Sequence, residues 1–238
     1  MPDSTPNPEL LRSLGRLVRG LSALFWGLPA ALIICTGTVC AGWFKGFWSL
    51  PQLAVSGLLL FGVWQLGSFQ KQERPWRSTL DRARLLALVN FGLSPFLYWW
   101  YRVPGQPFFQ AAVGILALSG LLFLLTLNQV LLRLGAMLPD EALRHETRQY
   151  TAVNRSLFVV FLFVAVTYVG LLRLAQLYLT QHPDPPNRYV LLWLTLDLNN
   201  TWFILLLICL LLLLPLSMTM ALIWKTKEVI LESVFGAK

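Results

Sequence analysis

Residues 108–132 read FFQAAVGILALSGLLFLLTLNQVLL and contain no charged side chain. As an α-helix rising about 1.5 Å per residue, this run is longer than the roughly 30 Å hydrocarbon core of a bilayer. The run therefore predicts a membrane-spanning helix.

Five further apolar runs predict five more spans. With the first run they lie at about 21–44, 50–69, 85–101, 108–132, 156–179 and 202–224. The composition agrees, because 56% of the 238 residues are hydrophobic and 13% are charged, against about 25% charged in soluble domains. We predict an all-α membrane protein, a polytopic bundle of six transmembrane helices embedded in the lipid bilayer.

The distribution of Lys and Arg predicts the orientation of this bundle. One side holds only Lys45, Arg102 and Arg188 between its spans. The other side holds most of the 19 basic residues, namely Arg12, Arg16, Arg19, Lys71, Arg74, Arg77, Arg82, Arg84, Arg133, Arg144, Arg148, Arg155, Lys225, Lys227 and Lys238. Because Lys and Arg accumulate in cytoplasmic loops, both termini are predicted to lie in the cytoplasm. Short loops in a compact chain favour a bacterial inner (plasma) membrane.

This topology divides the chain into three parts. Residues 1–20 form a cytoplasmic segment with a short amphipathic lead-in, residues 21–224 form the transmembrane domain, and residues 225–238 form a basic cytoplasmic tail. The net charge of +8 does not indicate nucleic acid as a partner, because the basic residues form short clusters between apolar runs.

Two cytoplasmic segments carry features of their own. Segment 70–84 is strongly basic, and the capping-box spacing of Ser78 and Asp81 predicts a helix that starts near Thr79. In segment 133–155, Gly135 closes the fourth span and Pro139 predicts the start of a helix that projects into the cytoplasm before the fifth span. Outside the membrane, apolar residues 189–196 are predicted to lie along the interface, and Asn199 or Asn200 to cap the sixth span.

The six spans contain no Asp, Glu, His or Lys. Proton relays and general bases at membrane depth usually need such groups. Arg173 is the one charged residue inside a span; it either reaches the outer headgroups or forms a site for an anion or lipid phosphate. Asn90, Asn128 and Gln129 either bond neighbouring helices together or line a polar cavity.

Small residues and prolines inside the spans predict where helices pack closely and where they bend. Ala111, Gly114, Ala117 and Gly120 recur at steps of three in the fourth span, and Gly37 with Ala41 in the first; both patterns predict internal packing seams. Pro29, Pro95 and Pro215 interrupt three spans and predict helix kinks.

No motif in the chain indicates catalysis, a metal or a cofactor. Cys35, Cys40 and Cys209 lie in or beside apolar runs without CxxC or Cys/His spacing. The chain has no phosphate-binding glycine loop, no GxSxG and no HExxH. We predict no catalytic residues, no metal site and no cofactor.

Three functions stay open at this point. The leading hypothesis is a non-catalytic scaffold or subunit of a membrane complex, which docks a protein partner through loops 70–84 and 133–155. Its predicted contacts are Arg74, Arg77, Arg82, Arg144 and Arg148. The alternative is a small transporter or channel for an uncharged or anionic solute. The third is a lipid-modifying enzyme at the interface, for which no nucleophile and base can be paired.

Overall fold

A computed structural model describes residues 8–41, 46–69, 73–103, 105–137, 141–181 and 201–235. Over these residues every regular element is a helix, joined by turns, and there is no strand, which confirms the all-α fold class. The helices are α1 (Pro8–Thr36), α2 (Leu50–Leu66), α3 (Arg74–Arg102), α4 (Pro107–Met137), α5 (Glu141–Gln181) and α6 (Thr201–Phe235). A short π-helical segment, Gly37–Ala41, continues α1.

Two described stretches have both the length and the hydropathy to cross a bilayer: Arg12–Val39 and Pro107–Met137. Helix Leu50–Leu66 is apolar but shorter. In helix α3, Asn90, Ser94 and Pro95 interrupt the apolar sequence. In α5 and α6, many side chains lie outside the described part of the structure. Two stretches with membrane-spanning character are therefore shown, and six spans remain a prediction.

The helices divide into two compact units. The first unit consists of the described residues up to Thr151 and those from Met218 onward. Leucines from α1 and α4 form much of its core, together with Trp76 from α3 and Ile223 from α6. The second unit, 152–217, contains most of α5 and the first half of α6.

Glycines bring α1 and α2 into close contact. A Cβ on Gly20 would lie 2.8 Å from the Gly62 carbonyl oxygen, and a Cβ on Gly62 would lie 2.8 Å from Leu24 Cγ. Gly27 meets Leu59 in the same way, at 2.8 Å. The two backbones approach this closely because these residues have no side chain.

The seam predicted on α4 is wrong. Ala111, Gly114 and Ala117 are exposed, and a Cβ on Gly114 or Gly120 would meet no atom within 4 Å. The buried face of α4 instead carries Ala112, Ser119, Phe123 and other residues closer to its C-terminus. For the first span, Gly37 is buried, while the side chain of Ala41 lies outside the described part of the chain.

The start of α3 also differs from the predicted capping box. The helix begins at Arg74, with Pro75 in its first turn and Glu73 before it, because proline is well suited to a first helical position. Ser78 therefore lies inside the helix and donates to the Pro75 carbonyl oxygen. Asp81 pairs with Arg84 instead of closing a cap.

Helix α5 is continuous from Glu141, and its first turns are packed. Thr147 is fully buried and lies against Gly135 of α4, where an added Cβ would be 3.3 Å from Thr147 Oγ1. Glu146 pairs with Lys225 of α6. A helix therefore begins before the predicted fifth span, as the sequence indicates, and its first turns pack on α4 and α6. Its projection into the cytoplasm stays a prediction. Gly135 provides the close approach, and α4 continues to Met137. Pro139 lies outside the described residues.

Helix α6 continues past the predicted end of the sixth span, so that most of the predicted tail is helical up to Phe235. Pro29, Pro95 and Pro215 lie inside α1, α3 and α6. The outer segment 189–196 and the cap at Asn199 or Asn200 fall outside the described residues.

In the second unit, Asn154 joins α5 to α6. Its side-chain amide nitrogen donates to the Pro215 carbonyl oxygen at 3.4 Å. Asn154 and Phe158 are buried, whereas Val159, Val160 and Phe163 on the same helix are exposed.

Candidate functional site

Two polar side chains named from the sequence make bonds between helices. Asn90 of α3 accepts a hydrogen bond from Ser119 Oγ of α4. Asn128 of α4 is 2% exposed; its Oδ1 accepts from Thr219 of α6 at 3.2 Å, and its Nδ2 donates to the Leu124 carbonyl oxygen at 3.0 Å. One N–H and one lone pair of this amide are therefore engaged within the protein, so Asn128 acts as a contact between helices.

The other two residues named inside the spans do not join this contact. Gln129 follows Asn128 directly but is exposed, because neighbouring positions on a helix point about 100° apart. Arg173 lies on α5, and its side chain is outside the described part of the structure.

A second cluster of buried polar side chains, which we call the Gln52 group, contains Gln52 and Ser56 of α2 and their partners Thr38 and Ser94. Gln52 Nε2 donates to Thr38 Oγ1 of the π-helical segment at 2.7 Å. One turn further along α2, Ser56 Oγ bonds to Ser94 Oγ of α3 at 3.1 Å. All four side chains are buried. Gln52 Oε1 is buried too, and has no hydrogen-bond donor among the described residues.

A basic pocket lies where α2 ends and α3 begins. Its floor is Trp76, which is 1% exposed and donates from Nε1 to the Phe69 carbonyl oxygen at 3.2 Å. An indole that is buried usually needs such a partner for its N–H. The bond ties the chain after α2 to the first turn of α3 and fixes one wall of the pocket.

Arg84 forms the opposite side of the pocket. Its Nη1 donates to Asp81 Oδ1 at 3.2 Å and its Nη2 to the Trp64 carbonyl oxygen at 3.4 Å. The guanidinium carbon lies 5.4 Å from the centre of the Trp64 ring, within the range of a cation–π contact. Arg84 Nε is buried and has no acceptor in the described part of the chain.

Gly67 makes room for this arginine. A Cβ at position 67 would lie 1.4 Å from Arg84 Nη2, so any other residue would displace the guanidinium. The cavity between these groups has a volume of about 290 Å³ and is lined by Gly67, Phe69, Trp76, Arg77, Leu80 and Arg84. We call it the Arg84 pocket.

The five arginines predicted to contact a partner all have exposed side chains: Arg74, Arg77, Arg82, Arg144 and Arg148. Of these, only Arg77 lines the Arg84 pocket. Arg144 donates to the Ala136 carbonyl oxygen at 3.3 Å, which joins α5 to the end of α4.

Comparison with known proteins does not assign the chain to a family. No protein-family model, curated protein or solved structure matches it.

Sequence reasoning misses the residues that build the Arg84 pocket. It counts Arg84 among the cytoplasmic charges without a role, and it singles out neither Trp76 nor Gly67. One signal is present: Trp76 is an aromatic residue within an otherwise polar, basic segment, and such a residue often marks a packed position. In the described ranges no three His, Cys, Asp or Glu side chains come together as metal ligands. The pocket offers cations and apolar walls, a chemistry suited to binding an anion.

Proposed function

We propose that this chain is a six-span integral membrane protein of the bacterial inner membrane, with both termini in the cytoplasm, and that it acts as a non-catalytic scaffold or subunit of a membrane complex. Segments 70–84 and 133–155 dock a protein partner with an acidic surface. The six apolar runs and the asymmetry of Lys and Arg support the topology.

Exposed apolar surface supports the membrane location. Only 33% of the most apolar window of Arg12–Val39 and 22% of that of Pro107–Met137 is buried. On α4, Phe108, Ile115 and Leu118 are about half exposed or more. A core helix of a soluble protein would be mostly buried, whereas lipid covers such a surface at no hydrophobic cost.

The observation that carries the scaffold role is the exposure of the cytoplasmic arginines. In segment 70–84, the side chains of Arg74, Arg77 and Arg82 make no ion pair or hydrogen bond within the described ranges. In segment 133–155, the side chain of Arg148 is likewise exposed and unpaired there. Unpaired surface cations attract an acidic partner and speed its association.

Affinity purification in mild detergent, at native expression, tests this role. We expect a partner that co-purifies with the natural chain and is lost on replacing Arg144 and Arg148 by Gln. The matched control is Arg102→Gln, which removes an exposed arginine predicted to lie on the outer side. A chain that isolates only as a monomer, or a partner that is retained by the double variant, contradicts the proposal.

The second candidate function is a small transporter or channel, and the Gln52 group favours it. A buried acceptor without a donor is costly. Gln52 Oε1 has no donor among the described residues, and it lies beside a π-helical segment, a feature frequent at functional sites. A hydroxyl or amide of an uncharged solute would satisfy Gln52 Oε1. In proteoliposomes, flux of a small polyol that disappears in Gln52→Leu but persists in Gln129→Leu supports transport. No flux through the natural chain counts against it.

A further inference from the structure

The Arg84 pocket has more positive than negative charge. Arg77 and Arg84 line it, and in the described part of the chain Asp81 is the carboxylate that pairs with Arg84. Within the described ranges the Arg77 side chain has no partner. The pocket therefore keeps an excess of about one positive charge, which one anionic group would neutralise.

The free donors of the pocket match a phosphate group. Asp81 and the Trp64 carbonyl occupy one N–H each on the two Nη atoms of Arg84, which leaves the second N–H of each Nη for a ligand. A guanidinium offers its donors in a planar fork that suits phosphate oxygens, and charge-assisted bonds of this kind are the strong ones.

The surroundings of the pocket indicate where the phosphate comes from. Its other walls are apolar, from Phe69, Trp76 and Leu80, and the ring of Trp64 beside Arg84 is 66% exposed. Exposed tryptophans concentrate at the membrane interface, and basic pockets between helices on the cytoplasmic side bind phospholipid headgroups. The volume of about 290 Å³ is close to the lower end of the usual range for ligand sites, about 300 Å³.

We propose that the Arg84 pocket binds the phosphate group of an anionic phospholipid of the cytoplasmic leaflet. The headgroup phosphate lies between Arg77 and Arg84, and Leu80 and Trp76 contact the apolar part next to it. This inference rests on the topology proposed above and does not require the scaffold role.

Gly67 offers a way to disturb the pocket without changing any charge. Its backbone has φ −71° and ψ −8°, which alanine adopts readily. Gly67→Ala therefore adds only a methyl group, at a position 1.4 Å from Arg84 Nη2, and displaces the guanidinium from Asp81 and Trp64. Gly92→Ala is the matched control, because no atom lies within 4 Å of the added Cβ.

Native mass spectrometry of the full chain in detergent, titrated with phosphatidylglycerol or phosphatidylcholine, tests the proposal. The natural chain should bind phosphatidylglycerol in preference to phosphatidylcholine. Arg84→Gln and Gly67→Ala should each weaken phosphatidylglycerol binding by about tenfold, since each removes a charge-assisted hydrogen bond. Arg82→Gln, which removes an exposed arginine of the same helix outside the pocket, and Gly92→Ala should leave it unchanged. Asp81→Asn should strengthen binding.

Several results would overturn the proposal. Equal binding of the two lipids by the natural chain, or an equal loss in Arg82→Gln and Arg84→Gln, excludes a specific site for an anionic lipid in this pocket. Competition by inorganic phosphate that depends on Arg84, without a preference between the lipids, assigns the pocket to a soluble phosphate compound. If Gly67→Ala does not fold, Arg84→Lys takes its place, because a lysine keeps the charge and loses the planar fork. An outer location of Gln72 by labelling would refute the topology separately, since detergent binding does not depend on sidedness.

Discussion

Gly20→Ala tests whether α1 and α2 pack as tightly as the structure shows. The added Cβ would lie 2.8 Å from the Gly62 carbonyl oxygen and 3.0 Å from Gln65 Cβ. The first of these atoms belongs to the backbone, so no rotamer change relieves the clash. Ordinary contact begins at 3.4 Å, so the helices must separate by about 0.6 Å, and overpacking of this kind costs about 1–3 kcal/mol.

The matched variant is Gly114→Ala on α4, where the new Cβ meets nothing within 4 Å. Both changes replace glycine by alanine inside a helix, and both gain the same intrinsic helix stability of about 0.5–1 kcal/mol. The two variants should therefore differ by the overpacking cost alone, about 1–3 kcal/mol in the free energy of unfolding.

The assay is reversible unfolding in mixed detergent–SDS micelles, followed by circular dichroism. We expect Gly114→Ala to be at least as stable as the natural chain and Gly20→Ala to be the less stable of the two variants. Equal stability of the two variants, or a more stable Gly20→Ala, would refute the close packing of α1 on α2.

Three further predictions use the same assay. The bond from Thr219 to Asn128 should give a coupling energy of about 0.6–2 kcal/mol in the double-mutant cycle of Thr219→Val and Asn128→Leu, because both side chains are buried. Glu146→Gln should cost less than about 1 kcal/mol, because its ion pair with Lys225 is roughly two-fifths exposed on each side. Trp76→Ala should cost about 3–5 kcal/mol, since it empties a fully buried site and removes the bond to Phe69.

Two of these predictions have a matched control. Gln129→Leu replaces the exposed neighbour of Asn128 and should show no coupling to Thr219→Val. Trp99→Ala removes a tryptophan that is 47% exposed and should cost less than Trp76→Ala. Zero coupling between Asn128 and Thr219, a large loss in Glu146→Gln, or equal losses in the two tryptophan variants would contradict the respective contacts.

The helical fold class could be predicted from the sequence because it depends on the length and the overall hydrophobicity of each segment. Long uncharged runs such as 108–132 need only their own length and composition to become helices in an apolar environment. Helix starts were less predictable. Ser78 and Asp81 have the spacing of a cap, but Pro75 favours an earlier start and leaves both residues inside α3.

Packing partners could not be predicted, because they depend on the rotation of each helix about its axis. The small residues of α4 form a regular stripe, yet Gly114 faces open space, while the irregularly spaced Gly20 and Gly62 form the close contact. The residue type shows that an amide such as that of Asn128 needs a hydrogen-bond partner when it is buried. It does not show that the bond comes from Thr219, 91 positions away.

The Arg84 pocket illustrates the same difficulty. The sequence identifies a basic segment but does not distinguish Arg84 from Arg82. That distinction comes from Gly67, which leaves the space that Arg84 fills, and from Trp76, which is held by Phe69. All of these residues lie within positions 67–84, but their contacts depend on how the chain folds back from the end of α2 onto α3, which the order of residues alone does not show.

The central claim is the six-span topology with both termini in the cytoplasm, and cysteine accessibility tests it most directly. In a chain with Cys35, Cys40 and Cys209 replaced by alanine, single cysteines are placed at Ser4, Gln72, Asp140 and Gly236, and at Gly46, Gly105 and Asp184. A membrane-impermeant maleimide added to intact spheroplasts should label only the last three. The first four should react only after the membrane is opened. Labelling of Gln72 or Gly236 in intact spheroplasts, or protection of Gly105, would contradict the topology.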